Sequence, residues 1–131
     1  MSQSHRATYA RCPVQQHLGP DADSLDVPWA EFSGDRSDPV PFSVPTADPV
    51  EPYVEMQVYD VAAFSHEILL NGTALTGFDI APGDGWQYWM DTIDATYMNQ
   101  GENTLQFARD TATDDAFVVG TATVHWKEPV D

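Results

Sequence analysis

The residues of this sequence best suited to chemistry are aromatic side chains that alternate with amides and carboxylates in short segments. In WQYWMDTI, Gln87, Trp89 and Asp91 lie two residues apart, so they share one face if the segment is a β-strand. A sugar ring packs its C–H groups on an aromatic ring, while its hydroxyls bond to surrounding amides and carboxylates. The spacing therefore predicts that this strand face recognises a glycan around Trp89. The opposite, apolar face of the same strand would carry Trp86, Tyr88 and Met90.

A second segment, YVEMQVYD, alternates in the same way and would extend this surface. Val54, Met56 and Val58 are predicted to face the core, which leaves the polar and aromatic positions between them on the other side. The predicted ligand-binding residues are Gln57, Tyr59, Gln87, Trp89, Asp91, Gln106 and His125, with Tyr53, Glu55 and Thr123 beside them. Two alternatives stay open: the segment 19–38 or the N-terminal strand covers the aromatic side chains, or a protein subunit covers them.

No catalytic motif is found in the sequence. The patterns HExxH, CxxC and GxSxG and a phosphate-binding glycine loop are all missing. Among 21 acidic residues some carboxylate pair falls within catalytic distance by chance, so such pairs indicate nothing. The histidines lack the close spacing of a zinc site; they are His5, His17, His66 and His125. We therefore predict a protein that is not an enzyme, with no catalytic residue and no histidine metal site.

Two acidic segments, DADSLD at 21–26 and DTATDD at 110–115, hold oxygen ligands of the kind that calcium prefers. Neither segment has the spacing of an EF-hand loop, and a solvated acidic surface is the favoured interpretation. The prediction is that no cofactor is needed, with a structural calcium ion as the open alternative.

Composition limits the class of protein and its partners. The 131 residues fit one domain spanning 1–131, and the formal net charge of −16 disfavours nucleic acid as a partner. The sequence has no signal peptide, no apolar run long enough for a membrane span and only one cysteine, so a cytoplasmic location is expected. Acidic residues accompany a single lysine, Lys127. This composition resembles that of cytoplasmic proteins from salt-accumulating haloarchaea, whose charged surfaces stay soluble in molar salt.

Short runs rich in Val, Thr and aromatic residues, separated by Pro and Gly, predict an all-β fold. The eight predicted strands are 7–17, 39–44, 52–59, 66–70, 74–78, 86–93, 103–109 and 116–126. The segment 19–38 is predicted to be a long acidic loop held down by Trp29 and Phe32. In ILLNGTALTG, Asn71 and Gly72 predict a tight hairpin, since both accept the positive φ of a type I′ turn.

The segment 92–110 adds a second local pattern. Gly101 is placed to form a turn that Asn103 caps, after which Leu105 and Phe107 enter the core. Together with the Asn-Gly hairpin, this pattern resembles the galactose-binding-like jelly rolls and sugar-binding domains of glycosidases. The whole chain also resembles an uncharacterised family of small acidic haloarchaeal proteins with GFDI…GWQYWMDTI and DDAFVVG…VHW segments. The first resemblance implies a single antiparallel β-sandwich of jelly-roll type and at times a structural calcium; the second implies no activity.

The sequence thus predicts a non-catalytic binding module that recognises a glycan through an aromatic and polar sheet face. The alternative is a structural or assembly subunit, of a cellular complex or a haloarchaeal virus particle, that uses the same face as a protein interface. The expected partner is accordingly a glycan or a protein, with neither nucleic acid nor a membrane involved.

Overall fold

The fold is a sandwich of two β-sheets, shown by a computed structural model that describes residues 4–64, 66–75 and 80–130. The strands in chain order are β1 (Ser4–Leu18), β2 (Glu31–Gly34), β3 (Val40–Val44), β4 (Val50–Tyr59), β5 (His66–Leu70), β6 (Thr73–Ala74), β7 (Trp86–Thr92), β8 (Gly101–Arg109) and β9 (Phe117–Val130). A short 3₁₀ helix (Ala95–Tyr97) precedes β8. No helix in the described ranges is long and apolar enough to cross a membrane.

One sheet has five strands in the order β2-β1-β9-β4-β7, and the other has four in the order β3-β8-β5-β6. All pairs are antiparallel except β1 with β2. The core lies between the sheets and includes the fully buried Met56, Leu105, Phe107 and Phe117. This architecture confirms the predicted all-β sandwich of jelly-roll type.

Local predictions for the hairpin and for β8 are confirmed. Asn71 and Gly72 have φ values of 53° and 80° and connect β5 to β6. Gly101 has a φ of 94°, and Asn103 caps the turn by donating to the carbonyls of Asn99 (2.8 Å) and Gly101 (3.1 Å). The predicted strand 74–78 is seen only at its start, since residues 76–78 lie outside the described residues.

The segment 19–38 departs from its prediction as a loop, because it contains β2. This four-residue strand pairs with the end of β1 at the sheet edge, where His17 lies opposite Phe32. The two rings contact each other edge to face at 5.1 Å. A four-residue edge strand is too short to show a hydrophobic alternation in the sequence.

Candidate functional site

One face of the five-stranded sheet packs on the core and the other, here called the outer face, is turned away from it. On β4 the side chains of Val54, Met56 and Val58 are buried, as the sequence predicted. The residues between them therefore point to the outer face. Antiparallel pairing places Tyr53 beside His125 and Glu55 beside Thr123 on this face. The pairing of β1 with β9 adds Tyr9 beside His125 and Arg11 beside Thr123.

Three rings form a row across β1, β9 and β4, here called the first aromatic bank. Tyr53 stacks on His125 with ring centroids 4.5 Å apart and an interplanar angle of 9°. Tyr9 lies on the other side of His125, at 6.1 Å. Tyr9 is 62% exposed, so this row presents a ring to solvent as well as to its neighbours.

Three further rings form the second aromatic bank, towards the other end of β4. Trp29, Tyr59 and Trp86 contact one another with centroids 5.3 to 5.6 Å apart. Trp29 comes from the segment 19–38, so that segment contributes to this bank. Gly120 on β9 leaves the space that Trp86 occupies, since a Cβ there would lie 3.1 Å from the indole ring. Trp86 is nevertheless 50% exposed.

A polar band lies between the two banks and forms a shallow pocket of about 310 Å³. Its lining residues are Arg11, Glu55, Gln57, Tyr88, Thr121 and Thr123. Glu55 lines this pocket, with its carboxylate 2.9 Å from His125 Nε2. The Tyr88 hydroxyl, which donates to Glu55, and then His125 hold the pKa of this carboxyl below its usual value, against the effect of burial. The same hydrogen bond raises the pKa of Tyr88.

The structure brings together three of the seven predicted ligand-binding residues. Gln57, Tyr59 and His125 all lie on the outer face, in the polar band or in one of the banks. The N-terminal strand does not cover them, because β1 is itself part of the sheet and extends the face.

The predicted orientation of β7 is wrong. Pairing with β4 places Gln87 beside Val58, Trp89 beside Met56 and Asp91 beside Val54, so all three residues point inward. The two alternating sets of β7 are as predicted, but the set with Trp89 faces the core and the set with Trp86 and Tyr88 faces outward. Each face of β7 carries aromatic residues, and a fully buried neighbour decides which one turns inward.

The inward residues of β7 have structural contacts. Trp89 packs against the core and donates from Nε1 to Gln87 Oε1 at 3.0 Å. Gln87 in turn donates to the carbonyl of Ala81. Among the described residues Asp91 Oδ2 is buried without a hydrogen-bond partner, and this burial raises the pKa of the carboxyl.

Gln106 was also predicted on the ligand-binding face, and this placement is wrong. It belongs to β8 of the four-stranded sheet and donates to the carbonyl of Ser37 at 2.7 Å. Its alternation with Leu105 and Phe107 showed correctly that it points away from the core. That pattern cannot show which of the two sheets a strand joins.

The sequence prediction missed several exposed residues of the outer face. Trp86, Tyr88 and Met90 follow one another at every second position of β7 and are 50%, 62% and 51% exposed. The segment WQYWMDTI contains a signal for this row, because the alternating set with Trp86 and Tyr88 has two aromatic residues and the set with Trp89 has one.

Among the residues that the structure describes, no three His, Cys, Asp or Glu side chains are arranged to hold a metal ion. In the acidic segments, Asp21 and Asp110 accept local backbone N–H groups from Asp23 and Ala112. Asp115 accepts from the backbone of Ala62.

A model described as "Family of unknown function (DUF7383)" matches residues 6–128. No curated protein matches the sequence of this chain.

Solved structures resemble the fold. A family 35 carbohydrate binding module from an environmental isolate has a TM-score of 0.58 at 13% identity, covering 92% of this chain and 97% of that one. The CBM36-1 domain of a multidomain xylanase from the hindgut metagenome of Trinervitermes trinervoides has a TM-score of 0.56 at 11% sequence identity. The match covers 91% of this chain and 96% of that one. A carbohydrate-binding module CBM36 in complex with calcium and xylotriose has a TM-score of 0.54 at 11% sequence identity. The match covers 88% of this chain and 97% of that one. At these identities the likeness establishes the fold.

Proposed function

The chain belongs to the family of unknown function DUF7383, and we propose that it is a non-catalytic domain that binds a glycan on the outer face of its five-stranded sheet. The observation that carries the proposal is the order of side chains on this face. A polar band with a carboxylate, an amide and hydroxyls lies between two banks of aromatic rings. Sugar rings need both kinds of contact, apolar for their C–H groups and polar for their hydroxyls.

The length of the face favours a chain of sugars over a single one. Tyr53 of the first bank and Tyr59 of the second are six residues apart on β4, which at roughly 3.4 Å per residue is about 20 Å. An oligosaccharide running along β4 would place a ring at each bank. Its hydroxyls between the banks would meet Glu55 and Gln57, together with Thr121 and Thr123 of β9.

The fold supports the proposal, and the side chains of the outer face carry it, because one fold hosts many functions. The structural neighbours named above are carbohydrate-binding modules, and one of them was solved with xylotriose. Neutral oligosaccharides are therefore the first ligands to test. The strongly negative charge of the chain adds to this choice, since it would repel acidic glycans.

The proposal is tested by calorimetric titration with neutral xylo-, manno- and cello-oligosaccharides in roughly 2 M KCl, which screens the protein charge. We expect saturable binding to at least one series. Trp86→Ala should weaken that binding roughly tenfold, because it removes an exposed ring from the second bank.

Phe64→Ala is the matched control, since Phe64 is 62% exposed but lies beside the four-stranded sheet, near His66 and Arg109. It should leave the affinity unchanged. Equal affinity of Trp86→Ala and the parent protein would contradict the proposed site. An absence of binding across all three series would contradict the function.

The second candidate function is that of an assembly subunit. The observation that favours it is the exposed row of Trp86, Tyr88 and Met90 on β7, a strand at the end of its sheet. Edge strands with exposed apolar residues pair readily with other chains. Light scattering in molar KCl separates the two functions: concentration-dependent growth that Tyr88→Lys abolishes supports assembly, and a monomer at all concentrations argues against self-assembly.

A further inference from the structure

An apolar pocket of about 490 Å³ opens at the end of the outer face, beside the first aromatic bank. It lies where β4 begins and β7 ends, and the backbone of Ile93 closes one side by donating to the carbonyl of Pro52 at 2.9 Å. The side chains that form its walls are Pro52, Tyr53, Met90, Ile93, His125 and Trp126. A volume of this size lies in the range of small-ligand pockets.

Apart from the hydroxyls of Tyr53 and Thr92, the polar side chains around this pocket are engaged in hydrogen bonds or ion pairs. Trp126 Nε1 donates to Glu128 at 3.1 Å, and His125 pairs with Glu55. At the rim, Lys127 Nζ lies 2.8 Å from Glu51. A sugar entering here would find few free partners for its hydroxyls, and each hydroxyl that loses water without a new partner is costly. The pocket is therefore suited to an apolar group.

The pocket is continuous with the proposed glycan site. Tyr53 and His125 form the first aromatic bank and also line the pocket, and Met90 lies at the junction of the two. A glycan that ends at the first bank would hold its terminal substituent at the pocket mouth. Tyr53 and His125 offer ring contacts there, and the thioether of Met90 interacts favourably with an aromatic ring.

We propose that this pocket binds an aryl group attached to the end of the bound glycan, so that the preferred ligand is an aryl-substituted oligosaccharide. The inference rests on the proposed function of the outer face, and it adds the chemical class of the substituent.

The test compares phenyl with methyl glycosides of xylotriose, mannotriose and cellotriose by calorimetry in roughly 2 M KCl. We expect the phenyl glycoside to bind roughly tenfold more tightly, since burying an aromatic ring contributes about that factor.

Ala7→Trp supplies the decisive variant, because Ala7 lies on the exposed rim of the pocket and a larger side chain there fills the space without entering the core. It should remove the preference for phenyl and leave the affinity for the methyl glycoside unchanged. Ala7→Ser, which fills nothing, should retain the preference.

Two different results would overturn the inference, and only one of them would also overturn the proposed function. If methyl glycosides bind but phenyl confers no advantage, or Ala7→Trp retains that advantage, the aryl pocket is wrong and the glycan face stands. If no glycoside of either kind binds, the proposed function fails and the inference fails with it.

Discussion

Glu55 connects three strands of the outer face through one carboxylate. It accepts from the Tyr88 hydroxyl of β7 and lies 2.9 Å from His125 Nε2 of β9. Both partners favour the charged form, so the pKa of Glu55 lies below its ordinary value of 4.5. The 2.9 Å contact with Glu55 orients the His125 ring in the first bank.

The lowered pKa of Glu55 predicts a pH dependence with a definite sign. A carboxyl with a lowered pKa in the native state stabilises the fold fully above its unfolded pKa, and this contribution is lost as the pH falls through the native value. Glu55→Gln should therefore melt at a lower temperature than the parent protein near neutral pH, and the two should converge in acid.

Thermal melts of Glu55→Gln and the parent at a series of pH values in molar KCl measure this difference. Glu67→Gln on β5 is the control, since it removes the same charge from an exposed strand position outside the outer face. A gap between Glu55→Gln and the parent that stays constant with pH would contradict the predicted role of the carboxylate.

Asp91 predicts the opposite sign. Burial raises the pKa of its carboxyl, so the native state disfavours the charged form. The cost is present at neutral pH and disappears as the pH falls through the raised value. Asp91→Asn should stabilise the protein by about 1 kcal/mol near neutral pH, because it removes a poorly solvated charge.

Denaturant unfolding of Asp91→Asn at neutral and acid pH tests this expectation, with Asp48→Asn at an exposed loop position as the control. The gain should be absent in acid and absent from the control. Destabilisation by Asp91→Asn at neutral pH would show that the charged form is needed.

At the scale of elements, the sequence predicts a strand well where a single face is apolar. On β4 the alternation of Val54, Met56 and Val58 with polar residues leaves one arrangement that buries the apolar side chains. On β7 both faces carry large rings, so burial of either set was plausible, and only the register with β4 makes Trp89 the inner residue. The predicted ligand-binding site is centred on Trp89, so the wrong orientation of β7 also makes the predicted position of the site wrong.

Turns were predictable because backbone conformation restricts the residue type. Asn71 is held at a φ of 53° and also joins distant elements through its side chain. Its Nδ2 donates to the carbonyl of Tyr97 and to Asn103 Oδ1, and its Oδ1 accepts from the N–H of Thr104. The Asn-Gly signal predicts the turn, whereas these three long-range hydrogen bonds depend on a tertiary arrangement that a local pattern does not contain.

Substitution of Asn71 separates the two roles. Asn71→Gly keeps the positive φ without strain and loses the side-chain hydrogen bonds, while Asn71→Ala loses the hydrogen bonds and also strains the turn. Both substitutions should destabilise the protein. The alanine variant should be about 1 kcal/mol less stable than the glycine variant, because a left-handed backbone is costly at a residue with a Cβ.

Chemical denaturation of the two Asn71 variants gives this difference directly. Glycan affinity should remain at the level of the parent protein in both, since Asn71 belongs to the turn beside the four-stranded sheet and the proposed site lies on the other one. Equal stability of the two variants would mean that the backbone of this turn carries no strain.

At the scale of the whole molecule, charge is the dominant feature. The chain has 21 acidic and 5 basic residues, and the ion pairs of the described residues engage few of the carboxylates. Such a surface repels itself, and the repulsion favours expanded states in dilute buffer. Screening shortens the range of this repulsion from about 10 Å at 0.1 M salt to about 3 Å at 1 M.

We therefore expect the melting temperature to rise substantially between roughly 0.1 M and 2 M KCl as screening removes the repulsion.

Salt also strengthens apolar burial in any protein, so a variant with fewer charges is needed to separate the two effects. The amide substitutions for this variant are Asp23→Asn, Asp48→Asn, Glu67→Gln, Asp84→Asn and Asp114→Asn, all at exposed positions. Because its net charge is five units less negative, the variant should melt higher than the parent in dilute buffer and gain less from KCl. An equal gain in both proteins would show that the salt effect does not arise from the acidic surface, and equal melting temperatures of the parent at both salt concentrations would contradict the salt-adapted interpretation of its composition.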